Sequence, residues 1–122
     1  MPFDNSAEIH TRYSAFVCTD AGADVAHAVL EQSGQSDTQV HGGGLSGAAR
    51  LGDKLPFSQT ILTEIGNISI EMAVECVAEL SRTGAQVIVL GAQTDISTYR
   101  ALRQAGATEY FGFPVDADDV LA

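Results

Sequence analysis

Residues 86–90, Gln-Val-Ile-Val-Leu, set four apolar residues in an unbroken row. A strand that is apolar at successive positions is apolar on both faces, so both faces must be covered, as in the centre of a parallel sheet. The flanking residues supply the cover. Upstream, Ile70, Ala73, Val74, Val77 and Leu80 recur at the spacing of one helical face, with Ser69 as N-cap and Gly84 as terminator. Downstream, Asp95 opens another helical pattern, with Ile96, Tyr99, Leu102 and Ala105 expected inward and Gly106 as its stop. Helix, buried strand, helix is the repeating unit of a layered α/β fold.

The rest of the chain extends the alternation. Tyr13 to Thr19 reads as a first buried strand, followed by a helix that Asp20 is expected to cap, with Val25, Val29 and Leu30 inward and Gly34 at its end. Thr38 to His41 is a weaker strand, broken by Gly42-Gly43-Gly44. A short helix from Leu45 to Leu51 follows, and Pro56 closes that region. Thr60-Ile-Leu-Thr-Glu64 is a third strand, and Tyr110-Phe-Gly-Phe113 a fifth, ahead of Pro114. A final helix opens at Asp116 and has barely two turns before Ala122. Five strands alternating with helices predict a flavodoxin-like, doubly wound five-stranded parallel sheet with helices on both faces. The short last helix is read as truncated, as in a piece cut from a longer protein. One domain over 13–122, preceded by a polar extension over 1–12, is the expected organisation, because 122 residues suffice for one core but not two.

Charge narrows the partners. Sixteen acidic residues against six basic ones give a formal net charge of −10. Such a surface repels phosphate backbones and anionic headgroups, so neither nucleic acid nor membrane is an expected partner. No apolar run approaches the roughly 20 residues that span a bilayer, and the start has no signal-peptide core. A cytoplasmic location is expected.

Metal and nucleotide motifs are weak. Cys18 and Cys76 fall in apolar patterns and read as two buried free thiols, and His10, His27 and His41 are scattered. The triple glycine 42–44 is a strand-to-helix turn, not G-x-G-x-x-G. Gly47 to Lys54 comes near a P-loop, but the spacing fails and Lys54 precedes Leu55 instead of Ser or Thr.

Two stretches carry a family resemblance. Gly106-Ala-Thr-Glu-Tyr110 with Phe-Gly-Phe-Pro114 resembles the G-A-x-x-Y-x-x-K-P pattern of response-regulator receivers, and Val87-Ile-Val-Leu-Gly-Ala92 resembles V-I-x-L-T/S-A. The resemblance implies a CheY-like fold from Tyr13 to Ala122, and it assigns five positions. Receivers use two acids after the first strand for Mg²⁺, an acceptor aspartate ending the third, a Ser or Thr ending the fourth, and a lysine before the proline. Here those positions hold Thr19 and Asp20, Glu64, Gly91 and Phe113. One metal carboxylate remains, the acceptor is longer by a methylene, and both phosphoryl partners are gone. The pocket is thus vestigial, and no enzymatic activity is expected. No cofactor is implied; residual Mg²⁺ at Asp20 and Glu64 would be weak.

The chain more specifically resembles the N-terminal atypical receiver of the CpaE/TadZ pilus-assembly family, on Phe16-Val-Cys-Thr-Asp20, Gly43-Gly-Leu-Ser-Gly-Ala-Ala-Arg50, Asp95-Ile-Ser-Thr-Tyr-Arg-Ala-Leu102 and Pro114-Val-Asp116. That resemblance implies a protein-interaction and localisation module in Tad/Flp-type pilus assembly, at a cell pole, joined to a downstream MinD/ParA-like ATPase, with pilus-assembly components and a homodimer as partners. The alternative is a phosphorylatable CheY-like response regulator. A third reading is a small-ligand or nucleotide binder at the carboxyl ends of the strands, where Gly91, Ala92 and Gln93 leave room.

Individual residues divide between sharper and plainer roles. Glu64 is either a permanent mimic of phosphoaspartate or, more simply, a polar strand end. Tyr110 matches the receiver switch aromatic, and without a side chain at Gly91 to draw it in, one fixed rotamer is expected. The Phe113–Pro114 bond matches one usually cis in receivers. Tyr99, Arg100 and Arg103, with Asp116, Asp118 and Asp119, match a receiver dimer interface; solvated charges and helix N-terminal acids are the competing reading.

Overall fold

The computed structural model describes residues 13–34, 40–51 and 60–121. The expected extension 1–12, the strand start at Thr38, the break at Pro56 and Lys54 lie outside the described residues. The element order is β1 (Tyr13–Phe16), α1 (Asp20–Gln32), β2 (Val40–His41), α2 (Gly44–Leu51), β3 (Thr60–Glu64), α3 (Ile70–Ser81), β4 (Gln86–Gly91), α4 (Ile96–Ala105), β5 (Glu109–Gly112) and α5 (Ala117–Leu121). All strands are parallel, in the order β2-β1-β3-β4-β5. This is the doubly wound arrangement expected, with the carboxyl ends of the strands gathered on one edge.

Strand alternation builds two cores from one sheet. Val87 and Val89 of β4 pack with Phe16, Ile61, Leu45, Val77, Leu80 and Leu102, under α2, α3 and α4. Ile88 and Leu90 point the other way, joining Ala15, Leu62, Val25, Val29, Leu30 and Val120 under α1 and α5. Val87, Val89 and Leu90 are wholly buried, which is why β4 is apolar at every one of those positions. Truncating such a side chain, as in Leu80→Ala, typically costs about 2–5 kcal/mol.

Helix ends follow local chemistry. Ser69 caps α3, its hydroxyl accepting from the Met72 amide at 3.1 Å. Asp95 caps α4, accepting from the Thr98 amide at 3.0 Å. For α1 the cap is Thr19, not Asp20: the Thr19 hydroxyl accepts from the Gly22 amide, and Asp20 is the first helical residue. Asp20 still suits that place, since an acid in the first turn opposes the positive end of the helix.

The inward face of α4 differs from expectation. Ile96 is 63% exposed and Tyr99 37%, whereas Thr98 and Leu102 are buried and Ala105 is partly so. Steps of three residues fall short of a 3.6-residue turn, so a stripe extended in threes rotates off the contact face. The four-residue pair Thr98–Leu102 is the face that meets the core. β5 also begins and ends one residue earlier than read, and α2 begins at Gly44.

Candidate functional site

Parallel strands bring the receiver-pattern positions together at the carboxyl edge. Glu64 is the last residue of β3, Gly91 the last of β4, and Thr19 and Phe113 follow β1 and β5. The geometry at Glu64 is distinct from that of a free acid in a cleft. The residue is only 2% exposed. Its Oε1 accepts from the Cys18 amide at 2.8 Å and the Thr19 amide at 3.0 Å, and its Oε2 accepts the Thr19 hydroxyl at 2.5 Å. The carboxylate therefore turns toward the β1–α1 turn and satisfies it, with charge-assisted hydrogen bonds on both oxygens. An aspartate at 64, shorter by one C–C bond of about 1.5 Å, would not reach the same donors. Glu64 is thus a buried polar strand end whose two carboxylate oxygens are both engaged inside the protein. Asp20 is exposed. With Glu64 already engaged, the two do not form a pair of free carboxylates for Mg²⁺. Among the described residues no group of three or more His, Cys, Asp or Glu side chains is placed to hold a metal ion.

Gly22, unremarked in the sequence, completes this arrangement. A Cβ there would lie 2.0 Å from Glu64 Oε1 and 2.7 Å from its carboxyl carbon. Only glycine lets the longer acid fold back over the start of α1. A glycine in the first turn of a helix costs roughly 1 kcal/mol against alanine, and that anomaly was the available signal.

The second linked pair is Gly91 and Tyr110. The Tyr110 ring is inward and 7% exposed, and its hydroxyl donates to the Gln93 carbonyl at 2.6 Å. A Cβ on Gly91 would meet that hydroxyl at 2.6 Å, the ring at 3.1 Å and Ile65 Cδ1 at 3.3 Å. The ring thus fills the space that a serine or threonine would need. Burial raises the Tyr110 phenol above its ordinary range, and the hydrogen bond to Gln93 opposes part of that rise. The Tyr110 ring stands inward here, bonded to Gln93 as well as packed.

Phe113 occupies the lysine position. Its amide donates to the Gly91 carbonyl at 2.8 Å, its ring packs against the core under α1 and α5, and the Phe113–Pro114 bond is cis, as expected. Cys76 is buried but Cys18 is exposed, against expectation, and both are free. Cys18 follows β1 at the carboxyl edge, its sulfur beside the glycine backbone at 44 and 66. Partial desolvation raises its thiol, and the neighbouring Glu64 carboxylate raises it further.

The residues assigned to an interface are exposed, and some have partners within the chain. Arg103 donates to the Thr108 carbonyl at 2.6 Å, lies 3.5 Å from the Glu109 carboxylate, and sits over the Tyr99 ring at 5.9 Å. Arg100 is exposed on the same helix. Asp116 accepts from the Asp118 amide at 2.9 Å, turning the chain into α5, while Asp118 and Asp119 are acids of its first turn. No helix among the described residues is long and apolar enough to cross a membrane.

The sheet order, the five helices and the carboxyl-edge site define the CheY-like receiver fold. Comparison with solved structures agrees. The pilus assembly protein CpaE from Caulobacter crescentus CB15 matches with a TM-score of 0.73 at 21% identity, covering 92% of this chain and 88% of that one. A CheY-like response regulator receiver domain protein from Methanospirillum hungatei JF-1 matches with a TM-score of 0.65 at 20% identity, covering 91% and 88%. A chain of the CheX–CheY–BeF3–Mg²⁺ complex from Borrelia burgdorferi matches with a TM-score of 0.72 at 14% identity, covering 96% and 89%. No protein-family model and no curated protein matches the chain.

Proposed function

We propose that this chain is a receiver-fold protein-interaction module that works without phosphorylation, acting in Tad/Flp-type pilus assembly in the cytoplasm at a cell pole. The observation that carries the reading is the closed Glu64 carboxylate. An acceptor must offer a free oxygen to an incoming phosphoryl group, and both of these oxygens are engaged by Cys18 and Thr19. The neighbouring positions agree: Gly91 has no hydroxyl, and Phe113 has no charge to pair with phosphate. The assembly role rests on the likeness to CpaE of Caulobacter crescentus, together with the sequence stretches shared with that family. Partners under this reading are a second copy, met through α4 and β5 with Tyr99, Arg100 and Arg103 opposite Asp116, Asp118 and Asp119, and the pilus-assembly machinery, including a MinD/ParA-like ATPase joined to this domain.

Sedimentation velocity over a concentration series, with and without Mg²⁺ and acetyl phosphate, tests the reading. Self-association indifferent to both additives is expected. Association that requires both would replace the module with a phosphorylatable response regulator.

A further inference from the structure

A groove of about 340 Å³ opens between the β3–α3 and β4–α4 loops. Its lining includes Ile65, Ile68, Ile70, Ala92, Gln93 and Thr98. Three isoleucines and an alanine on one concave surface are more than scattered exposure, which by itself means little. The flanks continue the pattern. Four large apolar side chains are exposed among the described residues, and two of them, Met72 of α3 at 49% and Ile96 of α4 at 63%, stand in the first turns of the two helices that border the groove.

The walls are fixed. Ser69 and Asp95 cap the helices on either side. The Tyr110 hydroxyl holds the Gln93 carbonyl at 2.6 Å, and the same ring blocks any side chain at Gly91. The β4–α4 loop is thus bonded from beneath by the Tyr110 hydroxyl. A preformed groove loses less on binding than one that must be ordered first.

The electrostatics select the occupant. No lining residue is charged. The acids beside the lining are exposed Glu71, next to Ile70, and Asp95, whose carboxylate lies 3.0 Å from the Thr98 hydroxyl. Of the described arginines near in sequence, Arg82 pairs with Glu79 and Arg103 binds β5, while Arg100 is exposed on α4 outside the lining. An apolar floor with an acidic rim, on a chain of net charge −10, complements an aliphatic side chain flanked by lysine or arginine.

We propose that this groove docks a segment of a partner protein, presenting one branched aliphatic anchor beside basic residues. The proposal builds on the interaction-module reading, but it assigns a surface separate from α4–β5 and needs no phosphoryl group.

The test is selection of a phage-displayed library of random 12-residue peptides on the whole chain, followed by affinity measurement and NMR shift mapping of the best peptide. Enriched peptides should share an aliphatic residue next to Lys or Arg and shift the amides of residues 65–70 and 92–98. Ala92→Phe fills the groove from an exposed position and should weaken binding about ten-fold or more. Glu71→Lys, also exposed, should weaken it about three-fold at low salt, with the difference fading at high salt. No enrichment, acidic consensus peptides, shifts mapping elsewhere, or full binding by the Ala92→Phe variant would each overturn the proposal. Self-association abolished by Ala92→Phe would overturn it too, making the groove a contact between copies. A response to acetyl phosphate would sink the module reading while leaving the groove mapping intact, so the two failures are separable.

Discussion

The Thr19 hydroxyl donates to Glu64 Oε2 and accepts from the Gly22 amide, so one oxygen ties the end of β3 to the first turn of α1. Two departures from the receiver pattern, at 19 and 64, and the glycine at 22 are thereby one structural unit. The acid at 64 is long enough to cross, residue 19 is a hydroxyl where a carboxylate would repel it, and residue 22 has no Cβ to obstruct it.

That coupling predicts a non-additive cycle. Glu64→Asp should withdraw the acceptor from the part-buried Cys18 and Thr19 amides and cost about 1–2 kcal/mol, less than a fully buried donor would because water can replace part of the loss. Gly22→Ala should cost about 3 kcal/mol, through overpacking against the carboxylate. In the double variant the shorter acid makes room for the new methyl, so the combined loss should be smaller than the sum of the two. Urea unfolding followed by circular dichroism measures all three, and strict additivity would break the link.

Tyr110 and Gly91 make a second pair. Gly91→Ser should destabilise by about 1–3 kcal/mol, because its Cβ meets the tyrosine hydroxyl. Tyr110→Phe alone should cost about 1 kcal/mol, for the lost bond to Gln93. Adding Tyr110→Phe to Gly91→Ser should recover part of the loss, since the nearest obstruction is the hydroxyl oxygen. Denaturant midpoints of the four proteins decide it; no recovery in the double variant would mean that the ring body, not its hydroxyl, sets the fit.

Acid should loosen the start of α4. Hydrogen bonds from the Ser97 hydroxyl and from the Thr98 amide and hydroxyl hold the Asp95 carboxyl down at about 2, below its ordinary value of 3.8. The folded-state value is the lower one, so Asp95 contributes stability that is present above pH about 4 and lost as pH falls through about 2. The carboxyl is exposed and the effect is small. In an NMR titration the Asp95 carboxyl carbon and the Thr98 amide should move together, with a midpoint near pH 2. A midpoint near 4 would show that the cap is not holding.

The sequence made the sheet legible where burial leaves few choices. Four apolar residues in a row at β4 admit little besides a covered central strand, and Ser69 and Asp95 mark their helices by cap chemistry that acts within one turn. The receiver positions were legible as substitutions, but what they do together was not. Thr19, Gly22 and Glu64 are separated by up to 45 residues, and their coupling exists only once β1 and β3 pair. The face of α4 misled because Ile96 and Tyr99 look like core residues. Their exposure depends on which side of the helix meets α3, and on surfaces that apolar residues also serve by binding partners.

The protein's own backbone and Thr19 occupy the Glu64 carboxylate. Proton–nitrogen correlation spectra recorded during titration with Mg²⁺, and then with beryllofluoride added, test it directly. The amides of Cys18, Thr19, Glu64, Gly91 and Gln93 should keep their positions throughout, apart from small non-saturating drifts. Saturable shifts at those residues that require both additives would contradict it, because they would mean that Glu64 releases its partners and takes a phosphoryl analogue.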